Sequence, residues 1–123
     1  MKRLYALRGA TRCLNETEDM ALRVAALYDA MLEQNNLNEG DIVSLVFSVT
    51  PDLDLCNPAT ALRSSGRAVD TALFSLQEAA LREGLVRTVR AIIHCYMEEG
   101  SVPLHVYQNG AETLRPDRIA PGG

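Results

Sequence analysis

The chain has 123 residues, enough for one domain with a modest core. Hydrophobic residues make up 47% and charged residues 23%, a folded globular balance, and the apolar runs are too short and interrupted for a transmembrane helix. A net charge of −4 disfavours nucleic-acid binding, and three scattered cysteines without a C-x-x-C pair disfavour a disulfide framework or a zinc site.

In chain order, Leu4 to Leu7 reads as a short strand ending at Arg8-Gly9. Arg8 interrupts the first apolar stretch far short of a signal-peptide core, so a cytoplasmic protein with reduced thiols is expected. Residues 15–36, NETEDMALRVAALYDAMLEQNN, predict one long helix. Asn15 and Glu18 have capping-box spacing, and Met20, Val24, Leu27 and Met31 recur on one face. Residues 42–49, IVSLVFSV, are apolar on both parities, the pattern of a strand covered on both sides. Thr50-Pro51-Asp52 stops that strand, and Asn57-Pro58 opens a short helix as N-cap and first helical residue.

A strand is expected over 68–76, then a helical turn within 79–87. Residues 88–97 are ambiguous: Val89, Ile93 and Met97 fit a helix, whereas the β-branched and aromatic content fits a strand. Residues 104–114 predict a hairpin around Asn109-Gly110. The domain is expected to span 1–117, with 118–123 a loose tail. Strands alternating with helices give a mixed α/β (α+β) domain, with polar or charged residues at several strand ends.

Neither His94 nor His105 lies in a metal-ligand pattern, and no phosphate loop or G-x-S-x-G elbow is present. No metal and no cofactor is expected. Asp52 and Asp54 lack the further oxygen ligands and turn glycine of a calcium loop, so Asp52 reads as a turn acid and Asp54 as solvent-facing. Eleven of the twelve basic residues are arginine, the side chain suited to gripping carboxylates with two parallel bonds. That leaves Arg8, Arg63, Arg90, Arg115, Glu78 and Tyr107 as polar candidates, any one of which is more often a surface residue than a site. Arg67, Arg82 and Arg87 read as solvated surface.

The ordered series LRGAT (7–11), SVTPDLDLCNPATALR (48–63), SLQE (75–78), VR (89–90), HVY (105–107) and LRPD (114–117) resembles the chorismate mutases of the AroH class. The resemblance runs from Leu7 to Asp117. It implies a homotrimeric pseudo-α/β-barrel with active sites between neighbouring chains, and it implies a strand over 88–97. The implied activity is the [3,3] Claisen rearrangement of chorismate to prephenate in aromatic amino-acid biosynthesis. That reaction needs no external nucleophile, metal or proton, in keeping with the missing motifs.

By the same resemblance, Arg90 donates to the ether oxygen as negative charge develops, and Glu78 accepts from the ring hydroxyl. Arg8 and Tyr107 bind a carboxylate, Ser75 supplies a hydroxyl where the family often has Cys, and Arg63 and Arg115 line the entrance. Ala59 and Leu114 complete the implied substrate-binding set. Three members of that set depart from the family pattern: Asn57 stands for Phe, Thr60 for Lys, and Phe74 for a small β-branched residue. Two alternatives stand beside the enzyme reading. One is a non-catalytic module binding chorismate or prephenate, and the weaker one is a trimeric imine deaminase.

Overall fold

In the computed structural model the described residues are 1–114, the side chain of Leu114 excepted. Arg115 and the tail at 118–123 lie outside them.

A five-stranded sheet forms the body of the chain. It is built from β1 (Lys2–Arg12), β2 (Ile42–Val49), β3 (Ala72–Gln77), β4 (Thr88–Glu98) and β5 (Val106–Gln108), in the spatial order β3-β2-β4-β1-β5. The long central strand β4 runs antiparallel to both β1 and β2, while the edge strands β3 and β5 pair parallel to β2 and β1. Helix α1 (Thr17–Gln34) and the short α2 (Pro58–Ser64) connect them.

Both helices lie on one face of the sheet. Side chains alternate across a strand, so Leu7, Leu45, Phe47, Val89, Ala91, Ile93 and Cys95 all point to that face, and all are buried. Against them α1 lays Met20, Val24, Leu27, Tyr28 and Met31, the stripe expected from its periodicity plus one aromatic. The approach is close at Gly9, where an added Cβ would stand 2.6 Å from Met31 Sδ and 3.2 Å from Leu27 Cδ1. Burial pushes the Cys13 thiol up to about 11, so it is no nucleophile near neutral pH.

Among the described residues the opposite face carries no helix. Along β2 its residues are Ser44, Val46 and Ser48, and all are half-buried. The strand over 42–49 is therefore covered on one side by its own chain, not on both. Leu4, Tyr96, Phe74 and Leu76 share this open face and are 50%, 45%, 61% and 50% exposed.

Five expectations are corrected. The first strand extends over Lys2–Arg12 and not only 4–7, because antiparallel pairing with β4 continues along its whole length. Asn15 does not cap α1: the helix starts after Glu16, and the Asn15 side chain instead donates to Asp54 and accepts from the Leu55 amide. The strand expected over 68–76 begins only at Ala72, since Ala68 takes a positive φ of 52° and bends the chain there. No helix forms in 79–87, where Glu83 and Arg87 both have positive φ. Asn109 and Gly110 do turn the chain, but into a 3₁₀ turn at Ala111–Leu114, and β5 pairs parallel with β1 in place of a hairpin. The ambiguous segment 88–97 is strand throughout.

Candidate active site

Residue parity places Arg90 on the open face of β4, opposite Ala10 of β1 on one side and Ser48 of β2 on the other. Glu78 follows the end of β3, and its backbone N–H donates to the Val49 carbonyl at 2.8 Å, which ties the strand end to β2. Its carboxylate lies 2.9 Å from Arg90 Nε and accepts from Ser48 Oγ at 2.7 Å. The Nε–Oε1 approach is an ion pair without the angle of a directed hydrogen bond, since Nε is shielded from water and has no aligned partner. This pair is the floor of a cleft of about 670 Å³, walled by Thr50, Pro51 and Asp52 and by the loop from Ala79 to Val86.

Thr50 and Asp52 make that wall. The Thr50 hydroxyl donates to Asp52 Oδ1 at 2.6 Å and accepts from the Thr88 amide at 3.0 Å. Both Asp52 oxygens accept from the Arg87 amide, at 3.0 and 2.9 Å. Arg87 has a φ of 46°, uncommon for a non-glycine residue, and the two acceptors hold it where the loop turns into β4. Asp52 is therefore scaffold, as its place in the turn implied, and Asp54 is exposed with Asn15 as its partner.

Tyr107 and Arg8 join the same face. Tyr107 pairs with Ala10, and its hydroxyl is buried without a hydrogen-bond partner among the described residues. Arg8, two residues before Ala10, has an exposed side chain, while its backbone amide donates to His105 Nδ1 at 3.0 Å. Four of the residues singled out from the sequence, Arg8, Glu78, Arg90 and Tyr107, thus occupy one side of the sheet.

A second group sits elsewhere. Asn57 is the N-cap of α2: its Oδ1 accepts from the Ala59 amide at 2.8 Å and the Thr60 amide at 3.4 Å. The same oxygen accepts from Ser75 Oγ at 2.8 Å. Ser75 therefore points toward α2, on the face opposite Arg90. Arg63 reaches the Thr71 carbonyl at 3.3 Å, Thr60 is exposed and Ala59 is buried. Phe74, one residue from Ser75, turns to the open face and is 61% exposed. Among the described residues, none of Asn57, Ala59, Thr60, Arg63 and Ser75 lines the cleft at Arg90.

Arg67, read as solvated surface, instead grips Asp29 with two parallel bonds of 2.8 and 2.7 Å. Sequence reasoning also missed Ser48 and Thr50 as the groups that orient Glu78 and Asp52. The signal was present in IVSLVFSV, where the polar positions Ser44 and Ser48 fall on one parity and mark the face that is not core.

A profile of the family "chorismate mutase type I" matches residues 4–118. The chain is 29% identical over 116 residues to chorismate mutase AroH of Bacillus subtilis (strain 168), covering 93% of this chain and 91% of that protein. It also superposes on a chorismate mutase from Clostridium thermocellum with a TM-score of 0.82 and 35% identity, over 89% of this chain and 98% of the other.

Proposed function

Because the chain belongs to the chorismate mutase type I family, an isomerase family, we propose that it converts chorismate to prephenate at the cleft floored by Arg90 and Glu78. The observation that carries this assignment is the Glu78–Arg90 pair held by Ser48 on a solvent-facing side of the sheet. Chorismate is a dianion whose enolpyruvyl arm must fold over its ring before the rearrangement. The protein's task is therefore positioning and charge stabilisation, with no bond to the enzyme.

Arg90 donates to the ether oxygen as the C–O bond breaks and negative charge grows there. An arginine acts here through a charge fixed in advance, so it stabilises the transition state more than the ground state. Glu78 accepts from the ring hydroxyl and faces the ring as it loses electron density. Arg8 binds a substrate carboxylate, and the Tyr107 hydroxyl, buried and without a partner among the described residues, donates to the same group.

The active protein is a homotrimer with each site shared between chains, and it works in the cytoplasm in the phenylalanine and tyrosine pathway. Two features support assembly. The open face exposes Leu4, Phe74, Leu76 and Tyr96 together. The group at Asn57, Ala59, Thr60, Arg63 and Ser75 lies at the β3 edge, away from Arg90, so one chain's group completes the neighbour's cleft. By resemblance Arg115 is assigned to the entrance and Leu114 to the substrate-binding set.

Mixing the purified protein with chorismate and following the loss of its ultraviolet absorbance tests the assignment. Rapid conversion by the wild-type chain, lost in Arg90→Ala, supports it. Binding of chorismate without conversion overturns it in favour of a regulatory module. A mass of one chain in solution, with conversion intact, would refute the shared site.

A further inference from the structure

Charge accounting around Ala10 singles out a residue that the family resemblance did not. Arg8, Ala10 and Arg12 fall on the same parity of β1 and so share the open face. Arg90 of β4 and Tyr107 of β5 flank Ala10 on either side. A small residue thus sits at the centre of a cross whose arms are three arginines and a tyrosine. Directly paired side chains stand roughly 5 Å apart and those two residues along a strand about 7 Å, so the arms can reach a common ligand.

The cations in this cross differ in what they already hold. Arg90 is neutralised by Glu78 at 2.9 Å. Arg8 and Arg12 have no carboxylate partner among the described residues, whereas Lys2, Arg23 and Arg67 each have one. Arg12 is also half-buried, which makes its missing counter-ion more costly than on an open surface. Its stem lies across Gly110: a Cβ there would be 3.1 Å from Arg12 Cδ and 3.6 Å from Nη1. The Asn109 side chain donates to the Arg12 carbonyl at 2.7 Å, fixing the strand beside this turn. Gly110 therefore leaves room for the Arg12 side chain, which a Cβ at that position would crowd.

We propose that Arg12 is a further substrate-binding residue, which takes one carboxylate of the dianion while Arg8 takes the other. This rests on the reading of the Arg90–Glu78 cleft as the chorismate site. The two uncompensated charges of Arg8 and Arg12 match the two charges of the substrate and leave Arg90 free for the ether oxygen. Arg12 acts on binding, so its loss falls on KM.

Steady-state kinetics with chorismate on Arg12→Met, Arg12→Lys and Arg8→Met tests the assignment, with melting temperature and solution mass measured on each. Arg12→Met keeps the stem over Gly110 and removes only the charge. KM is expected to rise about tenfold, with kcat falling less than about twofold, as for loss of a charged hydrogen bond partly open to water. Arg12→Lys should recover part of that loss, because charge returns without the planar fork. The dependence of KM on salt should also flatten in Arg12→Met. A wild-type KM in Arg12→Met, alongside a raised KM in Arg8→Met, overturns the Arg12 assignment and leaves the cleft intact. So does a raised KM that Arg12→Lys fails to reduce and that travels with a lower melting temperature or an altered mass. If Arg8→Met and Arg90→Ala both keep wild-type kinetics, the reading of the cleft itself is at fault.

Discussion

The two faces of the sheet are built from the same strands and differ in almost every other respect. On the helix side, Leu7, Phe47, Val89 and Ile93 are wholly or almost wholly removed from water and meet a helix whose apolar stripe matches them. On the other side, the residues alternating with them include Arg8, Arg12, Arg90, Ser48 and Ser44, together with exposed Phe74 and Tyr96. One face closes on itself, and the other offers cations and apolar surface to something beyond the chain. Substitutions on the first should therefore act on stability, and substitutions on the second on turnover.

The largest effect should come from Phe47→Ala. Phe47 is 1% exposed at the centre of the covered face, and truncating a buried aromatic costs about 3–5 kcal/mol through lost burial and the cavity left behind. Chemical denaturation would measure it. A loss below about 1 kcal/mol would mean that the two faces do not divide core from function as described.

Arg90→Ala comes next and should leave the fold intact. Removing a preorganised donor to developing negative charge typically lowers kcat by ~10²–10³-fold. Arg90→Lys should also be poor, since an ammonium cannot reproduce the planar fork of a guanidinium. Unchanged denaturation midpoints with collapsed turnover would sharpen the contrast with Phe47. Wild-type turnover in Arg90→Ala would break it.

Asp52→Ala tests a residue that serves both faces. Its carboxylate holds the Arg87 amide and the Thr50 hydroxyl, and Thr50 in turn meets the Thr88 amide, two residues before Arg90. Loss of these charge-assisted bonds should cost about 1–3 kcal/mol and lower turnover less than Arg90→Ala does. Following melting temperature and kcat together would check it: a stability loss with no kinetic change would separate the wall from the cleft.

How far these contrasts could be read from the sequence depends on the range of the interaction that sets them. The stripe Met20, Val24, Leu27 and Met31 and the apolar run of β2 are local patterns, and they were legible. Asn57-Pro58 was legible as a helix start for the same reason. Ala68-Val69 looked like strand, yet the Ala68 amide is taken by Glu39 at 2.8 Å, a contact across 29 residues that no local pattern encodes. The loop at 79–87 has helical composition, but Asp52 holds its far end at Arg87. Asn15 had the spacing of a cap and was drawn away by Asp54. For the cleft, the family motifs named Arg90 and Glu78, while only register shows Ser48 beside them and Ala10 between Arg8 and Arg12. Parallel pairing of β5 with β1, which sets Tyr107 in place, is equally non-local.

The smallest expected effect falls on Asn57, which stands where the resembled family pattern has Phe and for which the structure supplies a reason. Its Oδ1 accepts from two helix amides and from Ser75, so it fastens α2 to the edge strand β3. Asn57→Ala should cost about 1 kcal/mol, the usual range for a lost N-cap. Asn57→Asp keeps the acceptor and should retain that stability, adding a favourable charge at the helix start. The two variants part company in kinetics if the proposed shared site is right: a carboxylate at this edge would repel a dianion approaching a neighbour's cleft, and KM should rise more in Asn57→Asp than in Asn57→Ala. Thermal melts paired with KM at low salt would read both effects. Equal KM values would mean that this edge does not border the chorismate site, and the cap would then belong wholly to the covered face.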